Sequence, residues 1–200
     1  MIVRLDLRRA LEPLARAQAQ SVANPPSAID PHQLWAAIQA DPRWPDWQEG
    51  RMTPPEWHRH ITGRLGIGLS FDEFRAAWNR ALDPETILDN SLFATLSARC
   101  RLALLSNTDP LHAAYMDAHF TFGRYFKARI YSCDIGSSKP SPAIYQAALA
   151  ALNLPAEEAL YIDDIAEFVE AARALGMAAV QFRNAADLTA QLTSRGLLGA

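Results

Sequence analysis

The pattern of apolar and polar positions divides the chain into two parts. From about Leu7 to Asp83, apolar residues recur three and four positions apart, as on one face of a helix. From about Ser91 onward, short apolar runs alternate with helical segments, which is typical of βαβ units on a parallel sheet. We therefore predict an all-helical unit over residues 7–83 and an α/β core over residues 84–200.

Capping residues indicate where the helices of the first part begin. Thr53 precedes two prolines and Glu56, a combination that favours a helix start. Asp30 and Ser70 can cap helices in the same way. The helices are expected at residues 7–20, 31–40, 54–65 and from 71 to about 82. Their Trp and Phe side chains recur at helical spacing, so we interpret them as core rather than as a cofactor site.

Four apolar runs in the second part are predicted to be strands. They cover residues 101–106, 128–131, 159–163 and 178–182. Predicted helices cover residues 142–152, 166–175 and 185–195. The expected fold class is therefore α/β, a three-layer Rossmann-like core with a parallel sheet, and the helical unit forms a small cap.

Composition and charge argue against several classes of protein. The net charge of -3, without a Lys/Arg-rich stripe, argues against nucleic-acid binding. No run of about 18 apolar residues predicts a membrane span, and the charged start does not look like a signal peptide, so we expect a cytoplasmic protein. Cys100 and Cys133 lack metal-ligand spacing and are expected to be buried, reduced thiols.

Three polar segments lie at or near the ends of predicted strands, where open parallel sheets bind ligands. The turn at Ser106 and Asn107 suits an anionic oxygen, although it is equally an ordinary turn and helix cap. Lys139 lies between small residues and prolines, either held ready to neutralise a phosphate or simply solvated. The adjacent carboxylates Asp163 and Asp164 repel each other unless Mg²⁺ binds them or they cap the next helix.

Taken together, these segments resemble the haloacid dehalogenase superfamily. The runs Ser-Lys-Pro-Ser-Pro-Ala-Ile-Tyr and Tyr-Ile-Asp-Asp are specific to it, and their order and spacing agree with its motifs. The resemblance puts Ser106 at the second motif, Lys139 at the third, and Asp163 with Asp164 at the fourth. Residues 7–83 resemble the helical cap that this branch inserts after its first strand. Within the family, the chain most resembles a bacterial subgroup that acts on sugar phosphates such as glucose 1-phosphate.

The resemblance implies a Mg²⁺-dependent phosphatase of a small phosphorylated metabolite, of the sugar phosphate type. In this family an aspartate attacks phosphorus and forms an aspartyl-phosphate, which water then hydrolyses. Asp164, helped by Asp163, would hold Mg²⁺. Ser106, Asn107 and Lys139 would hold the phosphoryl oxygens, with Ser106 and Lys139 also counted as catalytic. The expected oligomeric state is a monomer or a homodimer.

The attacking aspartate of the family has no clear counterpart in this sequence. Asp6 is a candidate, but the residue two positions on is Arg8, which cannot act as an acid at neutral pH. Arg4 would also lie in a strand that is normally apolar on both faces. The other interpretation is that the start of the chain follows a missing first strand. A second departure is Phe168, where many relatives have Asn or Asp.

Two other functions remain open. A 2-haloacid dehalogenase of the same superfamily uses no metal, and the paired carboxylates of Asp163 and Asp164 argue against it. A chain without turnover that binds a phosphorylated ligand or a partner would explain the missing nucleophile. Because the attacking aspartate has no clear counterpart, we expect the 200-residue chain itself to be inactive or very weakly active.

Overall fold

The computed structural model describes residues 2–21 and 30–199, and its architecture is mixed α/β with helices around short strands. The helices in the first part of the chain are α1 (Leu7–Ser21), α2 (Pro31–Gln39), α3 (Trp44–Gln48), α4 (Pro54–Leu65) and α5 (Phe71–Asn79). In the second part the helices are α6 (Asn90–Ser97), α7 (Pro110–His119), α8 (Ser132–Ile135), α9 (Pro142–Leu152), α10 (Ala166–Ala174) and α11 (Ala185–Ser194). The strands are β1 (Val3–Leu5), β2 (Leu82–Thr86), β3 (Ala103–Ser106), β4 (Ala128–Tyr131), β5 (Leu160–Asp163) and β6 (Ala178–Gln181). The predicted α/β fold class is thereby confirmed.

Capping residues fix the starts of α4 and α5 as predicted. Both helices begin in a capping box, in which the hydroxyl of Thr53 or Ser70 pairs with a glutamate three residues later. The carboxylate of Glu56 accepts a hydrogen bond from the backbone N–H of Thr53 at 2.8 Å. Asp30 precedes α2 as expected, but its side chain makes no capping hydrogen bond.

The aromatic stripe of the helical region (residues 7–21 and 30–79) is buried core, as the sequence predicted. Trp47 and Trp57 are fully buried and stack with ring centroids 5.5 Å apart. Phe74 stacks on Trp78 at 5.4 Å. Burial of such large side chains gives this region an apolar core of its own.

The strands form three pairs rather than one continuous sheet. β3 pairs in parallel with β4, and β5 pairs in parallel with β6, as the predicted parallel pairing requires. β1 pairs antiparallel with β2. In the part of the chain that the structure describes, β3 and β5 are not hydrogen-bonded to each other.

Strand β2 differs from the expectation. Leu82 was placed on the helical stripe of α5, but it is buried as the first residue of β2. Pro84 cannot continue a helix, and β1 offers a pairing partner that local periodicity does not reveal. Because the predicted boundary at residue 83 falls inside β2, the division into two domains stays a prediction.

The start of the chain pairs with β2 and not with β3 or β5. The backbone N–H of Asp6 donates to the carbonyl of Ala81 at 2.7 Å, next to the β1–β2 pair. The carbonyl of Ile2 accepts from the N–H of Ile87 at 2.8 Å. β1 therefore does not replace a strand between β3 and β5.

Two expectations from composition can be compared with the structure. Cys100 and Cys133 are free thiols, half-buried rather than fully buried. Burial raises the pKa of the Cys133 thiol to about 12, so it is protonated at neutral pH. Within residues 2–21 and 30–199, no helix has both the length and the apolar character that a membrane span needs.

A buried ion pair at the start of α7 contacts Trp78 of α5. Asp109 caps α7 by accepting from the N–H groups of Leu111 and His112, and it also accepts from Trp78 Nε1 at 3.0 Å. His112 has Nδ1 at 3.0 Å from the Asp109 carboxylate and Nε2 at 3.0 Å from the carbonyl of Trp78. Because both partners are acceptors, both ring nitrogens carry protons and His112 is a cation.

The pKa values of this pair shift in opposite directions. Burial alone would raise the pKa of Asp109 and lower that of His112. Burial is the largest single cause, but the partner's charge and the hydrogen bonds together outweigh it, so the pKa of Asp109 is lowered and the pKa of His112 is raised. Both pKa shifts favour the ionised forms, in agreement with the hydrogen-bond partners of the His112 ring.

We expect the free energy of unfolding to fall as pH rises above neutrality because of His112. Its pKa is raised above the ordinary value of 6.5, so its contribution is complete below pH 6.5 and is lost as pH rises through the folded-state pKa. Urea denaturation of the wild type and His112→Gln between pH 6 and pH 9 measures the difference. His119→Gln, on the surface, is the control. A wild-type pH dependence in His112→Gln would refute the assignment.

Candidate active site

The residues singled out in the sequence converge on one cavity. Ser106 ends β3, Asp163 ends β5, and Lys139 lies in the turn between α8 and α9. Together with Asn107 and Asp164, they line the same cavity of about 1120 Å³. Asp6 does not line it. The carboxyl ends of two parallel pairs thus bring one cation, two carboxylates, a hydroxyl and an amide together.

Asn107 positions the turn that carries Lys139. Its Oδ1 accepts from the backbone N–H of Lys139 at 2.7 Å, and its Nδ2 donates to the carbonyl of Lys139 at 3.0 Å. This two-point contact fixes the lysine backbone relative to the end of β3. The structure therefore shows Asn107 in a positioning role, beside the phosphate contact predicted for it.

The ammonium group of Lys139 is buried in a defined environment. Its Nζ lies 2.6 Å from Asp163 Oδ2, and both side chains are 8% exposed. Nζ also lies 4.8 Å from the centre of the Phe168 ring, a cation–π contact. Phe168, which departs from the family pattern, therefore packs against the lysine.

Asp163 is an ionised carboxylate surrounded by donors. Besides Lys139, it accepts from the Tyr161 hydroxyl at 2.6 Å and from the N–H of Ile165 at 3.0 Å. Burial would raise the pKa of Asp163, but the Lys139 charge and these hydrogen bonds lower it. Burial and the nearby carboxylate raise the pKa of Tyr161, which keeps its hydroxyl protonated as a donor.

The described residues alone do not complete a magnesium site. Mg²⁺ requires an octahedron of oxygens, usually with one or two carboxylates among them. Asp163 already accepts three hydrogen bonds, whereas Asp164 is exposed. Residues 2–21 and 30–199 contain no group of three or more His, Cys, Asp or Glu side chains that could hold a metal ion. Asp163 and Asp164 are the carboxylates that would hold this cation, with the remaining oxygens coming from water and substrate.

Ser106 presents its hydroxyl to the cavity. Within the described residues, the polar neighbour of Ser106 Oγ is the carbonyl of Asn107 at 3.5 Å, which is long for a hydrogen bond. The hydroxyl is therefore able to donate to a ligand oxygen without losing a strong bond.

The sequence analysis missed two residues that hold the site against the helical region. The hydroxyl of Ser132, fully buried at the end of β4, lies 2.7 Å from the carbonyl of Gln48 and accepts from the N–H of Thr108 at 2.9 Å. The carboxylate of Glu49 accepts from the N–H of Ser138 at 3.2 Å. Ser132 directly follows a predicted strand, and this position could have marked it as a site residue. Nothing in the sequence marks Glu49.

Comparison with known proteins connects this geometry to a family. A model of haloacid dehalogenase-like hydrolases matches residues 32–176. The chain is 23% identical over 152 residues to D-ribitol-5-phosphate phosphatase of Bacteroides thetaiotaomicron, covering 73% of this chain and 74% of that protein. It is 28% identical over 183 residues to enolase-phosphatase E1 of Methylococcus capsulatus, covering 87% and 71%.

Solved structures agree with the fold. A haloacid dehalogenase family enzyme from Bacteroides thetaiotaomicron superimposes with a TM-score of 0.80 at 22% identity, covering 96% of this chain and 93% of that one. The complex of that enzyme with magnesium and inorganic phosphate gives a TM-score of 0.75 at 23% identity, covering 91% and 89%. An L-2-haloacid dehalogenase gives 0.61 at 22% identity, covering 90% and 79%. At these identities the likeness shows the fold alone.

Proposed function

Because this chain belongs to the haloacid dehalogenase-like hydrolase family, we propose that its site binds the phosphoryl group of a small phosphorylated metabolite, of the sugar phosphate type. The observation that carries this proposal is the buried ammonium of Lys139, which lines the same cavity as Ser106 at the end of β3. Two relatives named as phosphatases, and a neighbour crystallised with magnesium and phosphate, support the same ligand chemistry.

Some side chains of the site would bind the phosphoryl group, and others position those that bind it. An ammonium group has three donors, and Asp163 takes one of those of Lys139. The remaining donors are available to phosphoryl oxygens, and the hydroxyl of Ser106 adds another. Asp163 and Asn107 hold Lys139 in place, so little conformational entropy is lost when a phosphoryl group binds.

Turnover needs a carboxylate that attacks phosphorus, and the candidates in the described residues are poorly placed for it. Asp163 is bound by three donors. Asp109 is the buried partner of His112, and Asp6 lies outside the cavity. We therefore propose that this chain binds phosphate but hydrolyses phosphate esters very slowly unless a further carboxylate is supplied.

We predict that Lys139→Met weakens binding of inorganic phosphate by about 10- to 100-fold, since a charge-assisted hydrogen bond contributes about 1.5–3 kcal/mol. Isothermal titration calorimetry gives the affinity directly. Lys127→Met is the matched control, because Lys127 is exposed and the same charge is removed.

Loss of Lys139 also leaves Asp163 unpaired, so a second variant separates binding from folding. Ser106→Ala keeps the ion pair and should weaken phosphate binding several-fold. Unchanged phosphate affinity in both variants, or an equal loss in Lys127→Met, would overturn the proposed site.

The alternative of a 2-haloacid dehalogenase has its own test, since one structural neighbour has that activity. Release of chloride from 2-chloropropionate and release of phosphate from sugar phosphates are measured with and without EDTA. Metal-independent chloride release would favour the dehalogenase. Phosphate binding without either product fits the proposal that the chain binds phosphate with little or no turnover.

A further inference from the structure

The turn that carries Lys139 is held from two sides. On one side, Asn107 makes two hydrogen bonds with the Lys139 backbone. On the other side, the carboxylate of Glu49 accepts from the backbone N–H of Ser138 at 3.2 Å. Asn107 directly follows β3, whereas Glu49 directly follows α3 of the helical region. The position of Lys139 therefore depends on both parts of the chain.

Arg51 orients the carboxylate that makes the second contact. Its Nη1 donates to Glu49 Oε2 at 2.6 Å, which leaves Oε1 for the N–H of Ser138. Its Nε donates to Asp46 Oδ1 at 2.7 Å, so the guanidinium bridges two carboxylates. The hydrogen bonds to Asp46 and Glu49 raise the pKa of Arg51. Because Arg51 is bound on both sides, it restricts the directions in which the Glu49 side chain can point.

The backbone on either side of Glu49 is packed against the α/β part of the chain. The carbonyl of Gln48 accepts from the fully buried hydroxyl of Ser132 at 2.7 Å. A Cβ added at Gly50 would lie 1.9 Å from the carbonyl oxygen of Cys133, so the two backbones are in close contact. Glu49 therefore reaches the Lys139 turn from a backbone that is itself held in place.

Glu49, Arg51 and Asp46 do not line the cavity, so they would not touch a bound phosphoryl group. They can affect phosphate affinity only through the backbone next to Lys139. A turn with more freedom of movement loses more conformational entropy when its lysine is fixed by a ligand. Loss of the Glu49 contact should therefore weaken phosphate binding without removing any group that touches phosphate.

We propose that Glu49, oriented by Arg51, is a positioning residue that couples the helical region to the phosphate site. Its hydrogen bond with Ser138 keeps Lys139 in the arrangement that favours a phosphoryl group. By linkage, a bound phosphoryl group favours the contact between Glu49 and Ser138 by the same factor. This inference rests on the proposed function, because it needs phosphate to bind at Lys139.

The first test is the affinity of variants of the 200-residue chain for inorganic phosphate, measured by isothermal titration calorimetry. Glu49→Ala should weaken binding about three- to tenfold, an effect typical of residues that influence a site without touching its ligand. Arg51→Met should weaken it about two- to fivefold, since Glu49 remains but is less well oriented. Because Arg51 acts through Glu49, the double variant should bind no more weakly than Glu49→Ala. Additive losses would overturn this order of action.

Arg75→Met is the matched control for Arg51→Met. Arg75 pairs with Asp72 at 3.0 Å in the helical region, and its side chain is 51% exposed, against 50% for Arg51. Exposed pairs contribute little to stability, so the two variants should unfold alike in urea. Only Arg51→Met should alter phosphate affinity, and an equal loss of affinity in Arg75→Met would overturn the proposal.

Amide hydrogen exchange of Ser138, followed by NMR, reports on the contact itself. Glu49→Ala should speed exchange of this amide. Saturating phosphate should slow the exchange in the wild type, and much less in Glu49→Ala. The amide of Gly136, which donates to the carbonyl of Ser132, should change little. A Ser138 exchange rate that responds neither to Glu49→Ala nor to phosphate would contradict the coupling.

Lys139→Met and Ser106→Ala, titrated with phosphate in parallel, separate failure of this inference from failure of the proposed function. If these two variants bind phosphate more weakly and Glu49→Ala does not, the positioning role is wrong and the phosphate site stands. If phosphate affinity is the same in all of these variants, both proposals are wrong.

Discussion

Replacing Gly50 with alanine is expected to destabilise the protein by about 3 kcal/mol or more. Gly50 has a φ of +68°, a conformation that costs an L-residue about 1–2 kcal/mol. A Cβ added there would lie 1.9 Å from the carbonyl oxygen of Cys133 in α8, and overpacking of this kind typically costs about 1–3 kcal/mol. The obstacle is backbone, so it cannot rotate away. Urea denaturation followed by circular dichroism measures the loss.

Gly66→Ala is the matched control for this substitution. Gly66 ends α4 with a φ of +66°, almost the same as Gly50, but an added Cβ would meet nothing within 4 Å. Its expected cost is only the conformational part, about 1–2 kcal/mol. Equal losses in the two variants would show that the close approach between Gly50 and Cys133 does not exist in solution.

Asp109→Asn is expected to cost about 3–5 kcal/mol, because it removes one partner of a buried ion pair and leaves the charge of His112 uncompensated. Asparagine is also a good N-cap, so the start of α7 is preserved. The loss in the free energy of unfolding therefore measures the effect of removing the Asp109 charge. Urea denaturation at pH 6, where His112 is protonated, measures the full loss in the free energy of unfolding.

The control for Asp109→Asn is Asp72→Asn. Asp72 pairs with Arg75 at 3.0 Å, with both side chains largely exposed to solvent. Exposed pairs contribute little to stability, so this variant should unfold close to the wild type. A loss in Asp109→Asn no larger than this would mean that His112 is not a buried cation.

Local signals in the sequence were sufficient for most of the helices and strands. The capping residues Thr53 and Ser70 act within four residues of chain, and the structure has both capping boxes. Strands β3 to β6 were predicted from short apolar runs, and their parallel pairing was predicted from the helices between them. These features depend on neighbours in sequence, which is why pattern analysis detects them.

Features that depend on distant parts of the chain were not predictable. β2 forms because β1 is there to pair with it, and this partner lies about 80 residues earlier. The hydrogen bond from Ser138 to Glu49 likewise joins residues 89 positions apart. Neither position carries a local signature.

In the candidate site, too, some features were predictable from the sequence and others were not. The meeting of Ser106, Lys139 and Asp163 was expected because the carboxyl ends of parallel strands share one edge of the fold. The ion pair between Lys139 and Asp163 depends on side-chain directions that spacing does not define. Phe168 stands where many relatives have Asn or Asp. Its contact with Lys139 was not predictable from the sequence.

The positions of the tryptophans have a spectroscopic consequence. All five lie at positions 35, 44, 47, 57 and 78, so the α/β part of the chain after residue 79 contains none. Their rings lie close together, for example Trp35 and Trp44 at 5.4 Å. Intrinsic tryptophan emission therefore reports on the helical region and, through the contacts of Trp78 with Asp109 and His112, on its packing against α7. Far-ultraviolet circular dichroism reports on the whole backbone. A difference between the two melting curves would reveal the two parts unfolding separately, without any added label.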